Sequence, residues 1–174
     1  MVETYMRAHK DQMPEEAWLM RKQEWTADVS AKSWARTLRS IAEDSNSQDC
    51  IYVAVNDESE KHDGSADIVG LVMGGPGEMA QWQNVAEIYA LYVCSDYQRQ
   101  GVGRRLLQAV VAQLAQLRMT SLIIKCLTGN ASASRFYAAM GGQVIGITEF
   151  EEYGYKLPEQ IFGWEYISTF PTSR

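Results

Sequence analysis

The sequence predicts one α/β (α+β) domain, and three observations carry that expectation. Apolar residues recur at helical spacing in the N-terminal segment, then gather into strand-like runs from Cys50 onward. Residues 85–127 read as strand, amphipathic helix and strand, the order of a parallel crossover. No repeat, low-complexity tract or linker interrupts the 174 residues, a length that buries one hydrophobic core.

Each element has a local reason. Residues 2–10 form a short polar segment closed by Met13-Pro14, and Glu15–Gln23 starts a helix just after that proline. Between Ser30 and Glu43 the residues Trp34, Leu38, Ile41 and Ala42 make an amphipathic helix. "CIYVAV" (50–55) and "DIVGLVMGG" (67–75) read as strands, joined by the polar stretch "NDESEKHDGSA" (56–66), expected as a mobile hairpin loop. "VAEIYALYV" (85–93) is a third strand, rich in branched and aromatic residues. Val102, Leu106, Val110, Leu114 and Leu117 then mark one helix stripe, widened by Leu107 and Val111. "TSLIIKCL" (120–127) is a short buried strand. Asn130 opens a helix that carries Ala133, Phe136, Tyr137 and Met140 on one face and stops at Gly141-Gly142. "QVIGITEF" (143–150) and "FGWEYI" (162–167) read as closing strands around an acidic, tyrosine-rich loop, 151–160.

Composition excludes several classes. A net charge of −6 argues against general nucleic-acid binding, which calls for a basic surface. No apolar run is long enough to cross a bilayer and the N-terminus has no signal-peptide core, so no membrane partner is expected. Cys50, Cys94 and Cys126 show no CxxC spacing and read as reduced thiols of a cytoplasmic protein. His9 and His62 lie far from any ligand cluster, so no metal is expected.

Against that acidic background "SDYQRQGVGRRLL" (95–107) is unusual, because it places Gly101, Gly103, Arg99, Arg104 and Arg105 where a strand runs into a helix. Arginines there oppose the helix dipole unless an anion sits beside them. A dinucleotide fingerprint needs glycine where Leu106 stands, and a Walker A loop needs a lysine that does not follow. The amides of Gly101, Val102, Gly103 and Arg104 precede any intrahelical acceptor and suit a phosphate or pyrophosphate. An ordinary turn with surface arginines is the plain alternative.

The flanking residues carry a resemblance. Gln98-x-x-Gly101-x-Gly103 after a strand resembles the cofactor loop of the GNAT acetyltransferase superfamily, and Asn130-x-x-Ala133-x-x-Phe136-Tyr137 with Gly141 is similar to its later motif. Order and spacing agree over 50–168. The resemblance implies a mixed, mostly antiparallel central sheet with a parallel strand pair at the cofactor cleft and helices on both faces. Residues 1–45 would supply the acceptor side of a single domain spanning 1–174, and 50–168 the sheet and cofactor core. "VETYMRAHKDQMPEE" resembles the family's first helix, yet relatives place a strand before it. Either the start lies upstream or the first strand is missing, and a missing strand would bare ladder groups and favour pairing between chains as a homodimer.

The same resemblance implies acetyl-CoA as cosubstrate and a primary amine, on a small molecule or peptide, as acceptor. Gln98, Arg99, Gln100, Gly101, Val102, Gly103 and Arg104 would hold the pyrophosphate, largely through main-chain amides. Leu91, Tyr92 and Val93 would pair with the pantetheine arm, the Val93 amide being a candidate oxyanion donor. Glu87 falls where histone-acetylating relatives keep a general-base glutamate; a surface or ion-paired strand glutamate is the alternative. Tyr137 falls on the family tyrosine that protonates the leaving sulfur; the alternative is a core aromatic. Asn130 would cap its helix and touch the cofactor arm, and the cap alone explains it. Cys94 reads as packing. Trp18, Trp25, Trp34, Glu149, Glu151, Glu152, Tyr153 and Tyr155 fall where the family builds its acceptor pocket, and aromatics with carboxylates suit a cation. The rival readings are a non-catalytic acyl-CoA sensor, which need keep neither Glu87 nor Tyr137, and an unrelated nucleotide-binding module, which the failed fingerprints oppose.

Overall fold

A computed structural model describes residues 2–56 and 67–171. Three helices come first, α1 (Val2–His9), α2 (Glu15–Glu24) and α3 (Ala27–Glu43). They are followed by β1 (Cys50–Asn56), β2 (Asp67–Pro76), β3 (Val85–Val93), α4 (Val102–Gln116), β4 (Ser121–Leu127), α5 (Ala131–Ala139), β5 (Gln143–Glu152) and β6 (Tyr155–Trp164). The sheet is mixed and six-stranded, with one parallel pair, β3–β4. Residues 57–66, expected as a loop that includes His62, lie outside the described residues.

The chain divides into two compact units. The first comprises Gln48–Ile124 and the C-terminal residues from Trp164. Here β1, β2 and β3 form antiparallel pairs, and β3 runs parallel to β4 from Val85↔Ser121 to Ile88↔Ile124. Ser121–Ile124 are all buried, as expected of a strand covered on both faces. Helix α4 packs on β1, β2 and β3 through Val102, Leu106, Leu107, Val110, Val111 and Leu114. Each such side chain stabilises the fold by about 1.5–3 kcal/mol on burial, before conformational entropy is counted. The β2–β3 register shifts between Met73 and Gly74, where the partner jumps from Ala90 to Ile88. Tyr89 is thus the extra residue of a bulge, a device that bends and twists its strand. It falls where the β3–β4 ladder ends.

The second unit comprises Val2–Ser47 and Lys125–Gly163. Its core is Met13, Ala17, Leu127 and Leu157, with Trp18, Tyr153 and Tyr155 against it. Helix α3 begins at Ala27 rather than Ser30, because Thr26 caps it by accepting from the Val29 amide at 3.3 Å. The exposed first turn hides this start from any reading of apolar periodicity.

A larger difference lies at the other end. The segment 151–160 is not a loop: β5 and β6 pair from Gln143↔Gly163 to Glu152↔Tyr155, and Tyr153-Gly154 alone form the turn. Both turn residues have positive φ, 50° and 79°, as a two-residue hairpin of primed type requires. Asparagine or glycine usually fills the first of these positions, so a tyrosine there conceals the turn. The last strand accordingly ends at Trp164 instead of Ile167.

Candidate active site

The loop after β3 is built from the inside. The Cys94 amide donates to Val69 O at 2.8 Å, keeping the chain in register as it leaves the sheet, and Ser95–Tyr97 make one 3₁₀ turn. Gln98 Nε2 donates to Val93 O at 3.0 Å and Gln100 Nε2 to Asp96 O at 2.7 Å. Both glutamine side chains therefore brace the loop. Arg99 (φ 62°) and Gly101 (φ 79°) take left-handed conformations that swing the backbone into α4.

Arg105 is the first residue of α4 whose amide reaches a carbonyl, Gly101 O at 3.0 Å. The amides of Gly101, Val102, Gly103 and Arg104 have no acceptor among the described residues, and no side chain caps the helix. No acidic residue occupies the first turn, whereas Arg99, Arg104 and Arg105 are exposed around it. Four bared amides at the positive end of a helix, ringed by guanidinium groups, attract an anion.

Beyond the β3–β4 ladder, Leu91, Tyr92 and Val93 stay paired on their other side with Val72, Leu71 and Gly70. Glu87 sits half-buried in the ladder, between Gly75 on β2 and Ile123 on β4. Gly77 crosses directly over it: a Cβ there would come within 2.7 Å of Glu87 Cβ and 3.2 Å of its amide nitrogen. Nearby, the Tyr89 hydroxyl donates to Pro76 O and reaches Asp49 Oδ1 at 3.4 Å. Burial first, and then the Asp49 and Glu87 carboxylates, push this phenol up to about 12. It stays protonated, tying the bulge of β3 to the end of β2. Sequence reasoning missed this anchor.

In the second unit, Asn130 Oδ1 accepts from the Ala133 amide at 3.0 Å and so caps α5. Tyr137 is buried on that helix, its ring 5.5 Å from those of Phe136 and Phe162.

The residues expected to take a cation converge in part, but on the chain's own Arg21. Its guanidinium lies 5.4 Å from the Tyr5 ring centre, 5.3 Å from Trp25 and 5.7 Å from Tyr153, and it pairs with the buried Glu152. Tyr153 donates to Glu24 at 2.8 Å and Tyr155 donates to Glu16. Glu149 instead pairs with Lys156 at the surface, and Trp18 belongs to the small core. Arg21 thus fills an aromatic and carboxylate set that the sequence left open for a ligand.

His9 stacks on Tyr5 with ring centres 4.2 Å apart and bonds through Nδ1 to Tyr5 O. Burial, only partly opposed by that bond, lowers its pKa below 6.5. The unfolded chain therefore binds the proton first as pH falls, and stability is lost below about pH 6.5. Urea midpoints should drop between about pH 7.5 and pH 5.5, and His9→Gln should flatten that part of the profile.

Among the described residues no cluster of three His, Cys, Asp or Glu side chains could hold a metal ion, and no helix is long and apolar enough to cross a membrane. The loop and the head of α4 thus form an uncapped helix N-terminus with the chemistry to receive an anion. Known proteins narrow the class to one family. A family model described as the acetyltransferase (GNAT) family matches residues 10–142. The uncharacterized N-acetyltransferase YuaI of Bacillus subtilis (strain 168) is 31% identical over 110 residues, 63% of this chain and 63% of that protein. The match thus spans less than two thirds of that relative's own length. A GNAT-family protein from Desulfovibrio desulfuricans superposes with TM-score 0.61 at 18% identity, over 90% of this chain and 96% of the other. The ribosomal-protein-alanine N-acetyltransferase from Brucella melitensis gives TM-score 0.60 at 17% identity, over 94% and 90%. At such identities the likeness is one of fold. The chain belongs to the acetyltransferase (GNAT) family.

Proposed function

We propose that this protein transfers the acetyl group of acetyl-CoA to a primary amine by direct attack. The observation that carries the reading is the run of four amides, Gly101 to Arg104, without acceptors among the described residues, in a family whose general cosubstrate is acetyl-CoA. These amides would hold the pyrophosphate, with Arg99 and Arg104 adding charge-assisted contacts. The Gln98 and Gln100 side chains would keep the loop in shape. Leu91–Val93 would guide the pantetheine arm, and the Val93 amide would stabilise negative charge on the thioester oxygen, worth about 3 kcal/mol of barrier.

Glu87 takes the proton that the attacking amine must lose, directly or through water, as the amine nitrogen bonds to the carbonyl carbon and the carbon–sulfur bond breaks. Tyr137 returns a proton to the departing thiolate. Asn130 caps α5 and so fixes the helix that carries Tyr137. Tyr137→Phe should therefore lower kcat by about a hundredfold, within the range of general acid catalysis. The dissociation constant for acetyl-CoA should change little, and equal turnover would remove the phenol from the mechanism.

The acceptor is an amine on a small molecule or peptide. The Brucella protein's name specifies a protein alanine, which makes peptide amines part of the reading. Because Arg21 already fills the aromatic set, selection of a cationic acceptor would rest on other groups. A cytoplasmic location accords with the three unpaired cysteines. The decisive experiment incubates purified protein and acetyl-CoA with diverse small and peptide amines and follows release of free thiol. Amine-dependent release supports the transferase. Tight binding of acetyl-CoA without turnover on any amine favours a sensor.

A further inference from the structure

We propose that Tyr89 is a positioning residue for Glu87, acting through the Pro76–Gly77 segment that its hydroxyl holds against the base. The inference rests on the reading of Glu87 as the group that takes the amine's proton. It gives a purpose to the run Gly74-Gly75-Pro76-Gly77, which no step of that reaction uses.

Glu87 and Gly75 are direct partners across the β2–β3 ladder. Such partners project from the same face of a sheet. Gly75 has no side chain to place there, and Asp49 and Tyr89 use the space. A Cβ on Gly75 would collide with Asp49 Oδ1 and lie 2.9 Å from the Tyr89 hydroxyl. The phenol and the Asp49 carboxylate therefore stand on the face from which Glu87 projects. Gly77 lies over the root of the Glu87 side chain, where a methyl group would come within 2.7 Å of Cβ. Each glycine is a space that this one neighbourhood fills.

Pro76 stands between them. Its ring fixes φ, and its carbonyl accepts from the Tyr89 hydroxyl. The Gly77 amide donates to Val85 O at 2.7 Å. That carbonyl and that amide belong to one planar peptide unit and point opposite ways. Tyr89 and Val85 thus grip the unit from both sides and keep Gly77 pressed on Glu87. With a pKa of about 12 the phenol remains a donor at neutral pH, so it holds the peptide and takes no proton itself. Without the hydroxyl the carbonyl side is released, Gly77 can lift, and the Glu87 carboxylate gains rotamers that miss the amine. A misplacement of about 1 Å costs up to about a hundredfold in rate.

A mutant cycle on kcat tests this, using an amine found in the thiol-release screen and saturating acetyl-CoA. Glu87→Gln should lower kcat about a hundredfold, and Tyr89→Phe about tenfold, with the KM for acetyl-CoA unchanged in both. The double variant should be no slower than Glu87→Gln, because no base is left to position. A tyrosine with a merely structural role would multiply the two losses. Gly77→Ala presses a methyl group on Glu87 with Tyr89 intact. It should slow the enzyme as Tyr89→Phe does, and likewise add nothing to Glu87→Gln. Thermal melts check that each variant is folded. A Tyr89→Phe enzyme with wild-type kcat, or losses that multiply, overturns the positioning role and leaves the base in place. Wild-type kcat in Glu87→Gln, or a screen in which no amine is acetylated, overturns both.

Discussion

Gly101→Trp is expected to weaken acetyl-CoA binding by at least about a hundredfold, a loss well beyond the modest drop in folding stability that backbone strain brings. The loss would come from two or more charged hydrogen bonds to main-chain amides, each worth about 1.5–3 kcal/mol. An indole at this position lies over the amides that the loop bares. The backbone there holds φ at 79°, so any side chain adds strain of about 1–2 kcal/mol. The site is otherwise open: a Cβ would meet only Arg105 Nη1 within 4 Å, at an ordinary 3.5 Å. Gly101→Ala is the control, with the strain but without the obstruction. It should lower the melting temperature by a few degrees and leave affinity within several-fold. Isothermal titration calorimetry with acetyl-CoA separates the two. Unchanged affinity in the tryptophan variant would mean that the diphosphate sits elsewhere.

Removing the Glu152 carboxylate should strongly destabilise the second unit. The Glu152 side chain is 3% exposed and that of Arg21 20%, so Glu152→Ala leaves a largely buried guanidinium among three rings without the carboxylate that pairs with it. Breaking a buried pair from one side costs about 3–5 kcal/mol. The same rule makes the double variant, Arg21→Met with Glu152→Leu, far milder, because no charge is then stranded. Urea unfolding should show a large fall in midpoint for the single variant and recovery of most of it in the double. If both variants fell equally, packing against Tyr5, Trp25 and Tyr153 would matter more than the charges.

The difference between these two sites explains how much the sequence discloses. The loop from Gln98 to Arg104 is a local object, whose glycines, strand and helix lie within a few residues of one another. The amide run was legible for that reason, as was the Asn130 cap. Arg21 and Glu152 meet only after the whole chain has folded between them, and nothing near either position announces the other. The Tyr89 anchor was hidden differently: a bulge has no residue signature, and a tyrosine in a strand reads as ordinary β-propensity. The β5–β6 turn was missed because its first residue defies the usual chemistry of a positive φ. Tyr153 tolerates that conformation while its hydroxyl donates to Glu24 and its ring lies against Arg21, contacts that no local rule anticipates.

One consequence follows from the two glutamine braces. Gln98 and Gln100 tie the loop to Val93 and Asp96 from within, so on the proposed reading its shape is largely set before the cosubstrate binds. Little ordering entropy remains to be lost on capture, and simple oxyanions should dock without rearranging the protein. Inorganic pyrophosphate or sulfate should therefore act as plain competitors of the thioester, and a crystal grown from such salts should carry one at the head of α4.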